Sequence, residues 1–210
     1  FLDILFPPRC PICRKAVITH GQWCQFCLGE VWAPRNLNLA CHHLAFLDTC
    51  YTLCNYRKGV QELIRSMKFR RLRRLGCYVT WLLSIAPSAQ CGNFDIIVPV
   101  PLSRERLAER GYNQTEVIFR PWANHQGFMW CEALIRTQKT LPQWELTLKQ
   151  RKSNIKGAFT VTHPEEITGK HILLVDDIFT TGTTMDECAR VLKTGGAASV
   201  KGLVIASGAQ

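Results

Sequence analysis

One segment, Ile172–Thr184 (ILLVDDIFTTGTT), constrains the fold more than any other. An apolar run ends in two carboxylates, threonines gather around a single glycine, and helical spacing of Met185, Cys188, Ala189 and Leu192 follows. Strand, acidic pair, loop and helix in this order define one unit of an α/β sheet. From Phe94 onward short apolar runs alternate with helical patterns, which predicts a mostly parallel sheet. The expected strands are Asp95–Val100, Met129–Arg136, His171–Val175 and Ser199–Ala206. Gly195-Gly196 should cap the helix between the last two. A further helix should begin near Asn113 and end or kink at Pro121.

The same segment has a chemical reading. Backbone N–H groups of Ile178, Phe179 and the following loop, together with a helix N-terminus, converge on one spot and favour an anion there. Thr180, Thr181, Thr183 and Thr184 add hydroxyls, and Gly182 permits a tight turn with close approach to a ligand. Asp176 and Asp177, at the carboxyl end of a strand, lie where open α/β sheets bind ligands. Carboxylates there suit a vicinal diol such as that of a ribose. No G-K-[ST] follows the glycine, which excludes a Walker A loop, and a single glycine excludes the dinucleotide fingerprint. The alternative is an ordinary strand-turn-helix.

Charge adds a second constraint. The net charge is +10, of which Arg57–Arg74 contributes +7 (eight basic, one acidic) and Arg136–Lys156 contributes +5 (six basic, one acidic). The remainder sums to −2, so the positive charge belongs to two segments and implies an anionic partner. Solvated basic faces are the plain alternative. Val60, Leu63, Ile64 and Met67 place the first segment on an amphipathic helix, with a second helical run through Leu72, Leu75, Val79, Leu82 and Leu83.

Seven of the eleven cysteines fall within the first 54 residues. Cys10-Pro-Ile-Cys13 and Cys24-Gln-Phe-Cys27 form two knuckles able to supply four thiolates to a tetrahedral structural zinc. Redox sensing or disulfides remain the alternative. Cys41, Cys50 and Cys54 lack such spacing, although Cys41 with His42 or His43 offers a substitute ligand. The six histidines are expected to stand away from the threonine-rich loop, His171 beginning a strand, and none is expected to be catalytic. Residues 1–50 therefore read as a cysteine-rich zinc module and 51–210 as the α/β domain. The start of the chain lacks a basic leader, and the longest apolar stretch, Cys77–Ala86, is about half of a bilayer span. A cytoplasmic protein without membrane insertion is expected.

VDDIFTTGTT resembles the signature of type I phosphoribosyltransferases. The wider chain resembles the ComF (GntX) family through Val98-Pro-Val-Pro-Leu102 with Arg106, Arg110-Gly-Tyr-Asn-Gln114, Arg136–Thr140, Gln143–Arg151 with Asn154, Gly157-Ala-Phe159, and Met67-Lys-Phe69. The resemblance implies a type I phosphoribosyltransferase fold with an N-terminal zinc module. It implies binding of phosphoribosyl pyrophosphate with Mg²⁺, and a link to natural competence. Asp176 and Asp177 would hold the ribose hydroxyls and the following loop the 5′-phosphate. Leu102, Ser103, Arg104 and Arg110 would face the pyrophosphate, with Arg106 nearby. The segment carrying Arg136, Lys139, Arg151 and Lys152 would close over the substrate, or form a plain surface helix; Arg136 and Arg151 are the catalytic candidates within it. Three functions follow. One is a phosphoribosyltransferase acting on a nucleobase or amine. Another is a competence protein handling single-stranded DNA through Arg65, Lys68, Arg70, Arg71, Arg73 and Arg74, with Tyr56 and Phe69 as stacking candidates. The third is an adaptor for a partner helicase or uptake channel.

Overall fold

The computed structural model describes residues 6–86, 92–137 and 155–209. Cys91, Lys139, Thr140, Gln143, Arg151, Lys152 and Asn154 lie outside them.

A mixed sheet organises the chain. Its strands are β1 (Trp32–Asn36), β2 (Thr49–Asn55), β3 (Ile96–Pro99), β4 (Met129–Trp130), β7 (His171–Phe179) and β8 (Ser199–Ser207), ordered β1-β2-β8-β7-β3-β4. All neighbours are parallel except β1 and β2. Strand alternation explains the layers. Ile97, Leu173, Val175, Leu203 and Ile205 face a core shared with α2 (Lys58–Arg70), α3 (Gly76–Ser84) and α5 (Gln114–Gln126). Ile96, Val98, Ile172, Leu174, Val200 and Val204 pack on the opposite side with α7 (Thr183–Thr194); two short helices are α1 (Gln25–Gly29) and α6 (Pro164–Ile167). Both faces are covered, as a parallel sheet requires. After β3 the chain moves outward to β4, whereas after β7 it moves the other way to β8. The crevice between β3 and β7 is therefore a topological switch point, where such sheets bind ligands.

Three expectations change. The predicted strand Met129–Arg136 is two strands. β4 pairs with β3, and after Cys131 the chain leaves the sheet so that β5 (Leu134–Arg136) can pair antiparallel with β6 (Phe159–Val161). The strand predicted as His171–Val175 runs on to Phe179, because β8 continues to pair with it through Ser207. Both aspartates therefore sit inside a rigid strand. Pro121 does not end α5, which continues to Gln126. Packing against α3, where the Thr80 hydroxyl donates to the Ile118 carbonyl at 2.7 Å, overrides the local preference.

The cysteine-rich segment is not a separate body. Cys10, Trp23, Cys27 and Val31 belong to the same buried cluster as α2 and α3, and Trp23 Nε1 donates to the Tyr78 carbonyl at 2.9 Å. β1 forms one edge of the sheet, with Pro34 inside it and an irregular register between Trp32 and Arg35. An edge is where proline is tolerated in a sheet.

Candidate functional site

The last residues of β7, the loop after it and the first turn of α7 form one side of a cavity of about 340 Å³. Asp176 through Met185 line it without a break. Gly182 caps the helix at φ +73°, a conformation that suits glycine. The Thr181 and Thr183 hydroxyls lie 2.9 Å apart, converging at the helix N-terminus. Opposite stand Val100, Pro101, Leu102 and Arg106 from the segment after β3, Gln114 of α5, and Arg136 of β5. Tyr56, Lys68 and Phe69 complete the wall from the N-terminal half of the chain.

The acids have unlike surroundings. Asp176 Oδ1 accepts from the Thr115 hydroxyl at 3.2 Å and from the Asp177 backbone N–H at 2.8 Å. Enclosure by protein, then the neighbouring Asp177 charge, raises its pKa to about 7, although one edge still meets solvent. Asp177 is 2% exposed; its Oδ1 accepts from Lys68 Nζ at 2.8 Å, and its buried Oδ2 has no hydrogen-bond partner. A buried carboxylate oxygen in this state is suited to a ligand hydroxyl or a hard cation.

The structure gathers some of the predicted residues and separates others. Ile178, Phe179, Thr180, Thr181, Gly182, Thr183, Thr184, Leu102 and Arg136 line the cavity with both aspartates. Ser103 and Arg104 instead line a neighbouring space of about 520 Å³, which shares Pro101, Leu102 and Arg136 with the first. The Ser103 hydroxyl caps α4 (Arg104–Arg110) by accepting from the Arg106 N–H at 3.3 Å. Arg110 reaches the cavity indirectly, through a hydrogen bond to Gln114. Arg65, Arg70, Arg71, Arg73 and Arg74 are exposed on or after α2. Arg73 and Arg74 line, with Arg120, a groove of about 890 Å³ beside α5. Lys68 parts from this set, since it points inward to Asp177.

Two further features escape a reading of local pattern. His42 does not stand away from the loop: its ring meets Phe179 edge-on, with centroids 5.3 Å apart. The segment carrying it crosses α7, where the Asp186 carboxylate accepts the backbone N–H groups of Ala45, Phe46 and Leu47 at 2.8–3.1 Å. No spacing rule links residues 140 positions apart. For Lys68 the signal was the Met67-Lys-Phe69 stretch, which stands out from the surrounding arginines.

In the cysteine module, the Sγ atoms of Cys10, Cys13, Cys24 and Cys27 all lie within 4.8 Å of one another. Four thiolates around a zinc at about 2.3 Å would lie about 3.8 Å apart, so the cluster fits the ion. The Cys27 backbone N–H donates to Cys24 Sγ at 3.5 Å. Burial acts to raise the Cys10 pKa, yet the backbone N–H groups of Cys24, Cys13 and Ile12 bring it down to about 7. This is the group of metal-ligating side chains found among the described residues. No described helix is long and apolar enough to cross a membrane.

Residues 126–210 match the family described as Phosphoribosyl transferase domain, and residues 1–51 match the Double zinc ribbon domain. Fold and site thus define a type I phosphoribosyltransferase fold joined to an N-terminal zinc ribbon. The chain is 33% identical over 199 residues to the DNA utilization protein YhgH of Escherichia coli, covering 91% of this chain and 87% of that one. It is 30% identical to Competence protein F of Haemophilus influenzae, covering 89% and 79%. Against Competence protein ComFC of Bacillus subtilis the identity is 28%, covering 93% and 76%. The chain belongs to the ComF family.

Proposed function

We propose that this chain binds phosphoribosyl pyrophosphate between β3 and β7 and handles single-stranded DNA during natural transformation. The observation that carries the ligand reading is the acidic pair near the end of β7, lining a cavity walled by a threonine-rich helix N-terminus, with Asp177 Oδ2 buried and without a hydrogen-bond partner. The two carboxylates would accept the ribose hydroxyls. The backbone of Thr180–Thr184 and its hydroxyls would hold the 5′-phosphate. The segment from Val100 to Arg106, together with Arg136, would face the pyrophosphate. Mg²⁺ would be held by Asp177 and phosphate oxygens and would neutralise charge on the pyrophosphate.

The DNA part rests on the names of the relatives and on charge. Exposed arginines on α2 and the turn after it continue into the groove containing Arg120, a surface fitted to a phosphate backbone. A second reading, transfer of phosphoribose to a nucleobase or amine, is favoured by the neighbouring 520 Å³ space, which shares a wall with the ligand cavity.

Calorimetry with phosphoribosyl pyrophosphate and Mg²⁺ tests the first claim. Wild type should bind, and the Asp176→Ala/Asp177→Ala protein should lose at least about 100-fold in affinity, as buried charge-assisted hydrogen bonds disappear. Undiminished binding by the double variant would sink the assignment. For DNA, affinity for an oligonucleotide should fall steeply with salt and drop further in Arg73→Ala/Arg74→Ala. A salt-independent interaction would remove the DNA reading.

A further inference from the structure

Lys68 belongs to the last turn of α2, outside the segments that carry the ligand chemistry, yet its ammonium lies 2.8 Å from Asp177 Oδ1. The two side chains are 21% and 3% exposed, so the contact is not a loose surface pair. The other oxygen of the same carboxylate is buried and unpartnered. The pair is thus half completed: one oxygen is satisfied by a cation of the chain itself, and the other is buried without a partner, in a residue that lines the cavity. A lysine differs from an arginine in this place. Its charge is compact and its four-carbon stem can swing, whereas a guanidinium would grip the carboxylate with two bonds.

We propose that Lys68 is a displaceable internal cation: it occupies the acidic pair in the ligand-free protein, competes with a divalent metal for it, and so sets the metal requirement of the site. An ammonium and a divalent ion cannot share one carboxylate at contact distance without strong repulsion in an enclosed cavity. Entry of the metal requires the lysine to turn away. The same cavity offers it a new partner whenever a phosphorylated ligand enters with the metal, because Lys68 lines the wall facing the threonine loop. The chain thereby avoids holding two adjacent carboxylates uncompensated when empty. This inference rests on the proposed phosphoribosyl reading only for the ligand step; the competition with metal stands without it.

The test uses the full chain with its zinc in place and Mn²⁺ alone as the probe, followed by the paramagnetic signal of the free ion. Lys68→Met should bind Mn²⁺ at least about tenfold more tightly than wild type, through loss of one positive charge beside the metal. Lys68→Gln is one atom shorter but stays polar, keeps an uncharged N–H donor group, and should shift in the same direction. Adding Asp177→Asn to either variant should abolish the gain. Equal or weaker Mn²⁺ binding in both lysine variants, or a gain that survives Asp177→Asn, would overturn the proposal. A second measurement separates it from the ligand reading. In chelator, phosphoribosyl pyrophosphate affinity should fall more for Lys68→Met than it does with saturating Mg²⁺. Equal losses in the two conditions would make Lys68 an ordinary phosphate contact and overturn the proposal. Failure of wild type to bind the ligand at all would reject the phosphoribosyl reading, and the Mn²⁺ comparison would still decide the role of Lys68.

Discussion

The two halves of the site are built in opposite ways. On one side thirteen consecutive residues, Ile172–Thr184, supply the acids, the loop and the helix N-terminus. A strand paired along its whole length and a capped helix hold them in place. On the other side Tyr56, Lys68 and Phe69 are assembled by packing, with the cysteine module as part of their support. Ile12 and Trp23 crowd Gly59 at the start of α2, so closely that an added Cβ would meet Ile12 at 2.6 Å. The lesson is that one half is fixed by neighbours in sequence, whereas the other depends on contacts between distant parts of the chain.

Zinc removal should have the largest effect, and it addresses this comparison directly. Zinc binding contributes roughly 10–16 kcal/mol in small modules. Because Cys10, Cys27, Trp23 and Val31 share one core with α2 and α3, chelation should lower a single unfolding transition of the whole chain by at least about 10 °C. Calorimetry showing two independent transitions, with the second unmoved by chelator, would break the link between the halves.

Gly182→Ala comes next. The backbone there has φ +73°, and a Cβ would stand 2.4 Å from Leu44 Cδ1 and 2.5 Å from Phe179. The left-handed conformation and the overpacking together should cost roughly 2–4 kcal/mol, read as a lower denaturant midpoint with unchanged slope. Asp186→Ala should cost about 1–3 kcal/mol by leaving the N–H groups of Ala45, Phe46 and Leu47 without their acceptor. Hydrogen exchange should then rise in residues 44–47 and spread to the threonine loop. Exchange confined to the first segment would separate the two halves again.

The smallest effect concerns pH. Asp176 has a folded-state pKa of about 7 against 3.8 for the ordinary group, so the folded chain holds this proton more tightly than the unfolded one. Its contribution is fully present below about pH 4, is lost as pH rises toward 7, and is flat beyond. Asp176→Asn removes this slope. It should be more stable than wild type at pH 8 by roughly 1–2 kcal/mol, and more stable while binding less. Equal stability of the two proteins at pH 8 would mean that neighbouring groups already compensate the charge.

Much of the contiguous half was legible because its physics is local. The apolar run, the acids and Gly182 identify strand, site and turn from neighbours a few residues apart. Even so, local pattern ended the strand at Val175, since hydrophobicity stops there and pairing with β8 does not. The two C-x-x-C pairs were equally readable, because zinc chemistry imposes a spacing. Lys68 was grouped with its arginine neighbours, as charge in sequence does not tell which side chain turns inward. His42, Asp186 and the edge strand Trp32–Asn36 were hidden for a related reason. Each owes its position to partners far along the chain, and Pro34 disguises a strand that only an edge permits.

That edge strand has a consequence for how the molecule meets copies of itself. β2 is a seven-residue strand, and β1 covers the side that β8 does not. Pro34 and the irregular register leave β1 a poor template for another strand, and at the opposite margin β4 is only two residues long. The sheet therefore ends in material that resists growth at both margins. A chain cut before Thr49 would present the bare backbone of β2 instead, and its expected fate is strand-to-strand association into insoluble polymer, however intact its phosphate loop.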